Sequence, residues 1–355
     1  MHLLTPGPVA LEESIRLSQS REMIYHRGPE IKSLIGYICE ELRQDFNTNQ
    51  IFLVTGSGTA GLEMAYACLT KQTDKSLVLA NGTFGDKLGA MSKVYCETRI
   101  EKLPLGKGWN LDRAKKAIDE SDANVFGMVY NETSTGVLND AKAICRYAKS
   151  KGMITILDAV SAWAAAPLDM KKFGVDFVAT GSQKALGAAP GIAIVATTDE
   201  MVQRAESITA RSFYLDMRKF KKEMDNNQTP TTPAVSVLFS VQAAIELIKS
   251  KGGFEEHRKR HYLAAEKSRK FVESIGYKVF AEEGFYSPTI TGFILEGADE
   301  VRKKLREEFR LVTARDFGEL QGKFFRICHI GNFDDQHLEY AFSAIRSVLG
   351  RRVGQ

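Results

Sequence analysis

Cysteine is scarce and scattered in this chain. The five thiols, Cys39, Cys68, Cys96, Cys145 and Cys328, include no C-x-x-C pair. Neither a zinc site nor a disulfide framework is expected, no metal is assigned, and a reducing cytoplasm is the expected compartment. No apolar run is long enough to span a bilayer, so no membrane association is expected. The start, MHLLTPGP, lacks the basic n-region of a secretory signal, so no signal peptide is expected. A large excess of one charge is missing too: 48 basic and 44 acidic residues leave a net of +4. The densest basic cluster, His257-Arg258-Lys259-Arg260-His261, has no interleaved aromatic residues to stack on bases. It reads as a solvated helix face, and nucleic acid is not an expected partner. His257 and His261 have the i,i+4 spacing of a helical metal pair, but no Glu intervenes and no third ligand is near. Internal repeats and low-complexity linkers are absent as well.

What is present describes a globular protein. A chain of 355 residues is long for one core, and 44% apolar with 26% charged residues is ordinary globular usage. Near-continuous apolar runs over 51–55, 76–80, 125–130, 154–157, 177–179 and 192–196 alternate with amphipathic helical stretches. Such runs suit strands buried on both faces, so the fold class is α/β with a mainly parallel sheet between helices. Helical periodicity dominates 199–275. Beyond about residue 276, runs at 289–295 and 324–328 alternate with helical stretches at 299–309 and 334–349, which predicts a smaller C-terminal α+β domain. The expected organisation is an arm over 1–15, a large domain over 16–250 and a small domain over 251–355.

Three local patterns carry chemistry. Gly56-Ser57-Gly58-Thr59-Ala60-Gly61 follows a strand and opens a helix, where backbone N–H groups bind phosphate. The same residues satisfy G-x-G-x-x-G, but the next strand ends in Asn81-Gly82 rather than the acidic residue a dinucleotide fold requires. Asp158 follows a buried run, at the strand end that faces the ligand crevice of an open α/β sheet; the plainer reading is a helix cap. Lys184, in Gly181-Ser182-Gln183-Lys184, stands among small and apolar residues, where a desolvated amine becomes a nucleophile toward carbonyls. The plainer reading is an exposed loop lysine. Together, a lysine, a carboxylate, a phosphate-binding helix start and a stacking ring such as Phe84 are what pyridoxal 5'-phosphate (PLP) chemistry needs.

In order along the chain, Leu4-Thr5-Pro6-Gly7-Pro8, Thr55-Gly56-Ser57-Gly58-Thr59 and Asn131-Glu132-Thr133-Ser134-Thr135-Gly136 are followed by Asp158-Ala159-Val160-Ser161 and Gly181-Ser182-Gln183-Lys184. Thr231-Thr232-Pro233-Ala234-Val235-Ser236 and Phe325-Arg326-Ile327 complete the set. In these motifs the chain resembles the class V, fold type I, PLP-dependent aminotransferases, in the group containing alanine–glyoxylate and serine–pyruvate aminotransferases. The resemblance implies that Lys184 carries PLP as a Schiff base and shuttles the proton. It makes Asp158 the partner of the pyridinium, with Phe84 and Val160 on opposite ring faces. Gly58, Thr59 and Gln183 would hold the phosphate, and Thr133 would bond near the phenolic oxygen. Thr232 and Gln228 would reach the phosphate of the neighbouring subunit's cofactor, which implies a homodimer with shared sites. Arg326 would clamp the substrate α-carboxylate, and Gly7 in the N-terminal arm would close over the substrate. Phe84 stands where many relatives have Trp or Tyr, and Thr133 where some have Ser.

Plainer readings accompany two of these assignments. Arg326 could form a structural ion pair, and Thr232 could cap a helix with Pro233 at its first position. The implied activity is transfer of an amino group from serine, alanine or aspartate to a 2-oxo acid such as glyoxylate or pyruvate. Its competitors are a 2-aminoethylphosphonate–pyruvate transaminase, a desulfurase-type lyase, a dehydrogenase and a non-catalytic binding protein. His26 and Arg27 are expected near the mouth of the site, and Arg27 is the nominee for a second cation if the donor is acidic.

Overall fold

The computed structural model describes residues 1–316 and 318–350. Phe317 and the last five residues of the expected small domain lie outside the described residues. Among the described residues, seven strands form one sheet. Its order is Gln50–Thr55, Ile192–Thr197, Phe177–Gly181, Ile154–Asp158, Val125–Val129, Lys75–Ala80 and Glu97–Lys102. Ile192–Thr197 runs antiparallel to both neighbours, and the other pairings are parallel. Every residue of the four strands Val125–Val129, Ile154–Asp158, Phe177–Gly181 and Ile192–Thr197 is buried. Successive strand residues point to opposite faces, so both faces are covered by other elements. The strands fall where the apolar runs predict them, within two residues at each end.

Glu97–Lys102, unlike the buried edge strand Gln50–Thr55, escapes the apolar pattern because it is an edge strand with no buried residue. Its sequence ETRIEK is largely exposed, and charge on an edge strand blocks pairing with another chain.

A second hydrophobic cluster, separate from the sheet's, includes Phe271, Phe293, Leu305, Phe325 and Ile345. It is built on the antiparallel pair Ile290–Ile294 and Phe324–Cys328 and on the helix Asp335–Gly350. The N-terminal strand His2–Leu4 joins this cluster: it pairs in parallel with Leu311–Thr313, and Leu4 is buried among its residues. A few residues on, Ile15 is buried in the sheet's own core. The segment between is therefore strung from one core to the other.

The basic cluster at 257–261 corrects the sequence reading. It lies on the helix Gly253–Ser274, but not on a solvated face, since both histidines are buried. His257 Nε2 bonds to the Ala185 carbonyl at 2.8 Å. His261 Nε2 accepts from the Gly331 amide at 3.1 Å, and its Nδ1 donates to the His257 carbonyl. Burial pushes His257 down to about 4 and His261 well below its usual value, so both rings are neutral; His257 ties the helix to the loop that carries Lys184, and His261 ties it to Gly331. Arg258 leaves that face to pair with Asp45 at 2.8 Å.

The segment at 229–233 needs a second correction. The helix starts at Val235 with Ala234 as its cap residue, so Thr232 is not an N-cap and Pro233 is not its first position. The Ala234 amide donates instead to the Thr55 hydroxyl at 3.1 Å, which fixes where the helix begins. No helix among the described residues is long and apolar enough to cross a membrane.

Candidate functional site

The site forms where the central strands end. Asp158 closes its strand, flanked by Val129 on one side and Ala179 on the other. Its Oδ1 accepts the Val160 amide at 2.9 Å. Burial pushes this carboxyl up to about 6, with the Val160 hydrogen bond and the charge of Lys184 opposing and Glu132 adding to the rise. A carboxylate held there without a full counter-charge favours a cationic group beside it.

Lys184 follows the strand Phe177–Gly181 in a loop fastened from several directions. The Ser182 hydroxyl donates to Ala189 O at 2.6 Å, and the Asn332 amide donates to Gly187 O at 2.9 Å. His257 holds Ala185, the residue after the lysine. Burial lowers the pKa of the Lys184 amine, with Asp158 opposing. Its Nζ donates to the Pro6 carbonyl at 2.9 Å, so the strung N-terminal segment lies directly on the lysine. Gly7 has φ +133, and a β-carbon there would stand 2.7 Å from Lys184 Cδ. Only glycine lets the arm pass this close.

One cavity of about 200 Å³ collects Gly58, Thr59, Phe84, Asp158, Val160, Gln183 and Lys184, together with Ser57 and Lys87. Seven residues that the sequence singles out thus share one space. The helix Gly58–Leu69 points its first turn into it and has no side-chain cap, which leaves the first amides for an anion. A β-carbon on Gly58 would lie 2.5 Å from Val160 Cγ2, so the helix start and the Asp158 turn pack in contact. Gln183 Oε1 is buried without a hydrogen-bond partner. An uncapped helix start, a buried carboxylate, a desolvated amine, a ring at Phe84 and an unsatisfied amide together fit PLP.

Other predicted residues stand apart. Thr133 is buried, and its hydroxyl lies 2.7 Å from Ser161 Oγ. Its carbonyl accepts from Arg326 Nη1 at 3.1 Å. Arg326 is 1% exposed and forms an ion pair with Asp316, Nε to Oδ1 at 3.4 Å. Gln228 and Thr232 do not line the cavity; Thr232 is exposed, and Gln228 Nε2 reaches Arg27 O at 3.4 Å. Arg27 is occupied by the carbonyls of Thr229 at 2.7 Å and Pro230 at 3.3 Å. His26 does not line the cavity either.

Sequence reasoning quotes Glu132 in a motif but assigns it no role. Its buried carboxylate accepts the Phe84 and Gly85 amides at 3.1 and 3.0 Å and the Ser134 amide at 3.0 Å. It caps the helix Thr83–Tyr95 from another segment and so sets the position of the Phe84 ring. The signal was a carboxylate three residues after the fully buried strand Val125–Val129, where a charge needs several donors.

Comparison with known proteins gives one family. The model of the family described as aminotransferase class-V matches residues 12–332. An uncharacterized aminotransferase of Methanocaldococcus jannaschii is 32% identical, over 98% of this chain and 92% of that protein. A Synechococcus protein named soluble hydrogenase, small subunit, is 30% identical over the same shares. The L-aspartate–glyoxylate aminotransferase of Paracoccus denitrificans is 28% identical, over 94% of this chain and 87% of its own. Among solved structures, alanine–glyoxylate aminotransferase from Nostoc superposes with a TM-score of 0.93 at 24% identity, covering 98% of this chain and 94% of its own. This likeness shows the fold, that of the fold type I aminotransferases.

Proposed function

The chain belongs to the class-V aminotransferases, and from that premise we propose that it moves an amino group from a small amino acid to a 2-oxo acid, using PLP held at Lys184. The donors proposed are serine, alanine or aspartate, and the acceptors glyoxylate or pyruvate; the aspartate–glyoxylate relative supports that range. The observation that carries the reading is the single cavity joining Lys184, Asp158 and the uncapped helix start at Gly58. The arm, large domain and small domain over 1–15, 16–250 and 251–355 are the units we assign to it.

When bound, PLP supplies an electron sink for the carbanion formed at the substrate Cα. Lys184, its amine already desolvated, would take the proton from the substrate Cα and hold it for return. Asp158 would hold a proton on the ring nitrogen. The Gly58 and Thr59 amides and Gln183 would bind the phosphate, while Phe84 and Val160 would contact the ring. Thr133 would orient the phenolic edge. Arg326 binds the α-carboxylate through its planar fork, and the arm at Gly7 excludes water above Lys184. Gln228 and Thr232 serve the neighbouring subunit in a homodimer; their place away from the cavity of their own chain supports this. Five free, buried cysteines support a reducing, cytoplasmic setting. Burial pushes the Cys328 thiol up to about 12, which argues against a desulfurase nucleophile.

The test offers serine, alanine, aspartate and 2-aminoethylphosphonate separately to the holoenzyme, with glyoxylate or pyruvate as acceptor. Transfer from at least one α-amino acid is expected, at turnover on the order of 1 s⁻¹ or faster. Transfer from 2-aminoethylphosphonate alone assigns a phosphonate transaminase instead, and no transfer from any donor refutes the proposal.

A further inference from the structure

The guanidinium assigned to the substrate carboxylate already has a carboxylate beside it. Asp316 lies between two arginines, with Oδ1 3.4 Å from Arg326 Nε and Oδ2 2.9 Å from Arg302 Nη1. Both side chains of the Arg326–Asp316 pair are almost fully buried. The contact with Arg326 is made at Nε and is longer than the 2.7–2.9 Å of a good charge-assisted hydrogen bond. The hold on Arg302 is the closer of the two, so Asp316 is fastened to Arg302 and leans on Arg326.

We propose that Asp316 is a specificity-determining residue: an internal carboxylate that faces the Nε edge of Arg326 in the resting enzyme, while Nη1 and Nη2 donate to the Thr133 and Arg315 carbonyls, and that a substrate carboxylate displaces. The inference rests on the assignment of Arg326 to the α-carboxylate. Displacement does not strand a buried charge. Asp316 also lines a cleft of about 520 Å³ on its Arg302 side, where Lys303, Arg306 and Arg315 add three more cations against one further carboxylate, Asp299, which pairs with Arg302 at 2.7 Å. A carboxylate released from Arg326 keeps Arg302 and turns toward that cationic cleft, so the exchange at Arg326 is one anion for another. Its cost is the repulsion between two carboxylates while the incoming one arrives. Small monocarboxylates bind weakly as a result, and a donor has to make further contacts to complete the displacement.

The test measures equilibrium binding of propionate, an unreactive carboxylate, to holoenzyme by calorimetry, using wild type, Asp316→Asn, Asp316→Ser and Arg326→Gln. Both Asp316 variants are expected to bind propionate about tenfold more tightly, since a like charge beside the ligand is removed. The Arg326→Gln variant is expected to lose propionate binding. If Arg326→Gln loses binding while the Asp316 variants bind no more tightly than wild type, Asp316 is only a prop and the proposal is overturned, with the assignment of Arg326 intact. If Arg326→Gln binds as wild type does, the assignment of Arg326 itself fails and the proposal falls with it.

Discussion

Lys184→Ala lowers transamination by roughly four orders of magnitude, the upper range for loss of a positioned acid–base group, and leaves the protein folded. The lysine has no substitute inside the cavity. Lys87 also lines it, but that ammonium lies 5.1 Å over the Phe84 ring. The side chain meets the arm at Gly7 and donates to a backbone carbonyl, Pro6 O, so its loss strands no buried side-chain partner. Removing a desolvated amine also removes a cost of folding. Single-turnover kinetics and a thermal melt of the same preparation check both halves. Residual activity within tenfold of wild type contradicts the role given to Lys184.

Asp158→Asn separates function from stability in opposite directions. Turnover falls by about 10³, because Asn is neutral and cannot hold a proton on the ring nitrogen. The apoprotein becomes more stable at neutral pH. The Asp158 carboxyl titrates near 6 when folded, against a usual value near 4 for an exposed aspartate. Between about pH 4 and pH 6 the folded state therefore binds the extra proton, and this residue's contribution to stability is lost as pH rises through that window. Above it the loss is complete and constant, on the order of 2–3 kcal/mol. Asn has the same shape, can accept the Val160 amide and has no charge to bury. Urea unfolding of both apoproteins from pH 4.5 to 8 is expected to show curves that diverge upward through pH 6 and run parallel beyond it. A variant that is less stable than wild type at pH 8 contradicts this account.

The two signals differ in how visible they were in the chain. The buried strands announced themselves, because a strand covered on both faces is apolar at most positions, as Val125–Val129 is. Asp158, Lys184, Gly58 and Phe84 were legible because the strand ends and helix start that position them are local features. The edge strand Glu97–Lys102 was not, since an edge strand with no buried residue along its length permits charge at any position. The histidines at 257 and 261 were hidden by their basic neighbours. Their i,i+4 spacing continues through Ala264, Ala265, Ser268, Phe271 and Val272, all buried, and that stripe was the available signal.

Pairings across the chain were the least visible. Nothing local in Glu132 says that it caps the helix of Phe84, and nothing in Phe325-Arg326-Ile327 says that Asp316 waits beside the arginine. The ion pair that sequence reasoning weighed as the plainer fate of Arg326 is present, and it is compatible with substrate binding only if the pair can open. That condition gives the fold a second requirement at the site, beyond the placement of Lys184 and Asp158.

Reduction of the holoenzyme with borohydride, followed by peptide mapping, tests the central claim most directly. The account predicts that the pyridoxyl group is fixed on the peptide containing Lys184 and that Lys184→Ala carries none. Attachment to any other lysine, or none at all from a preparation that transaminates, would contradict it.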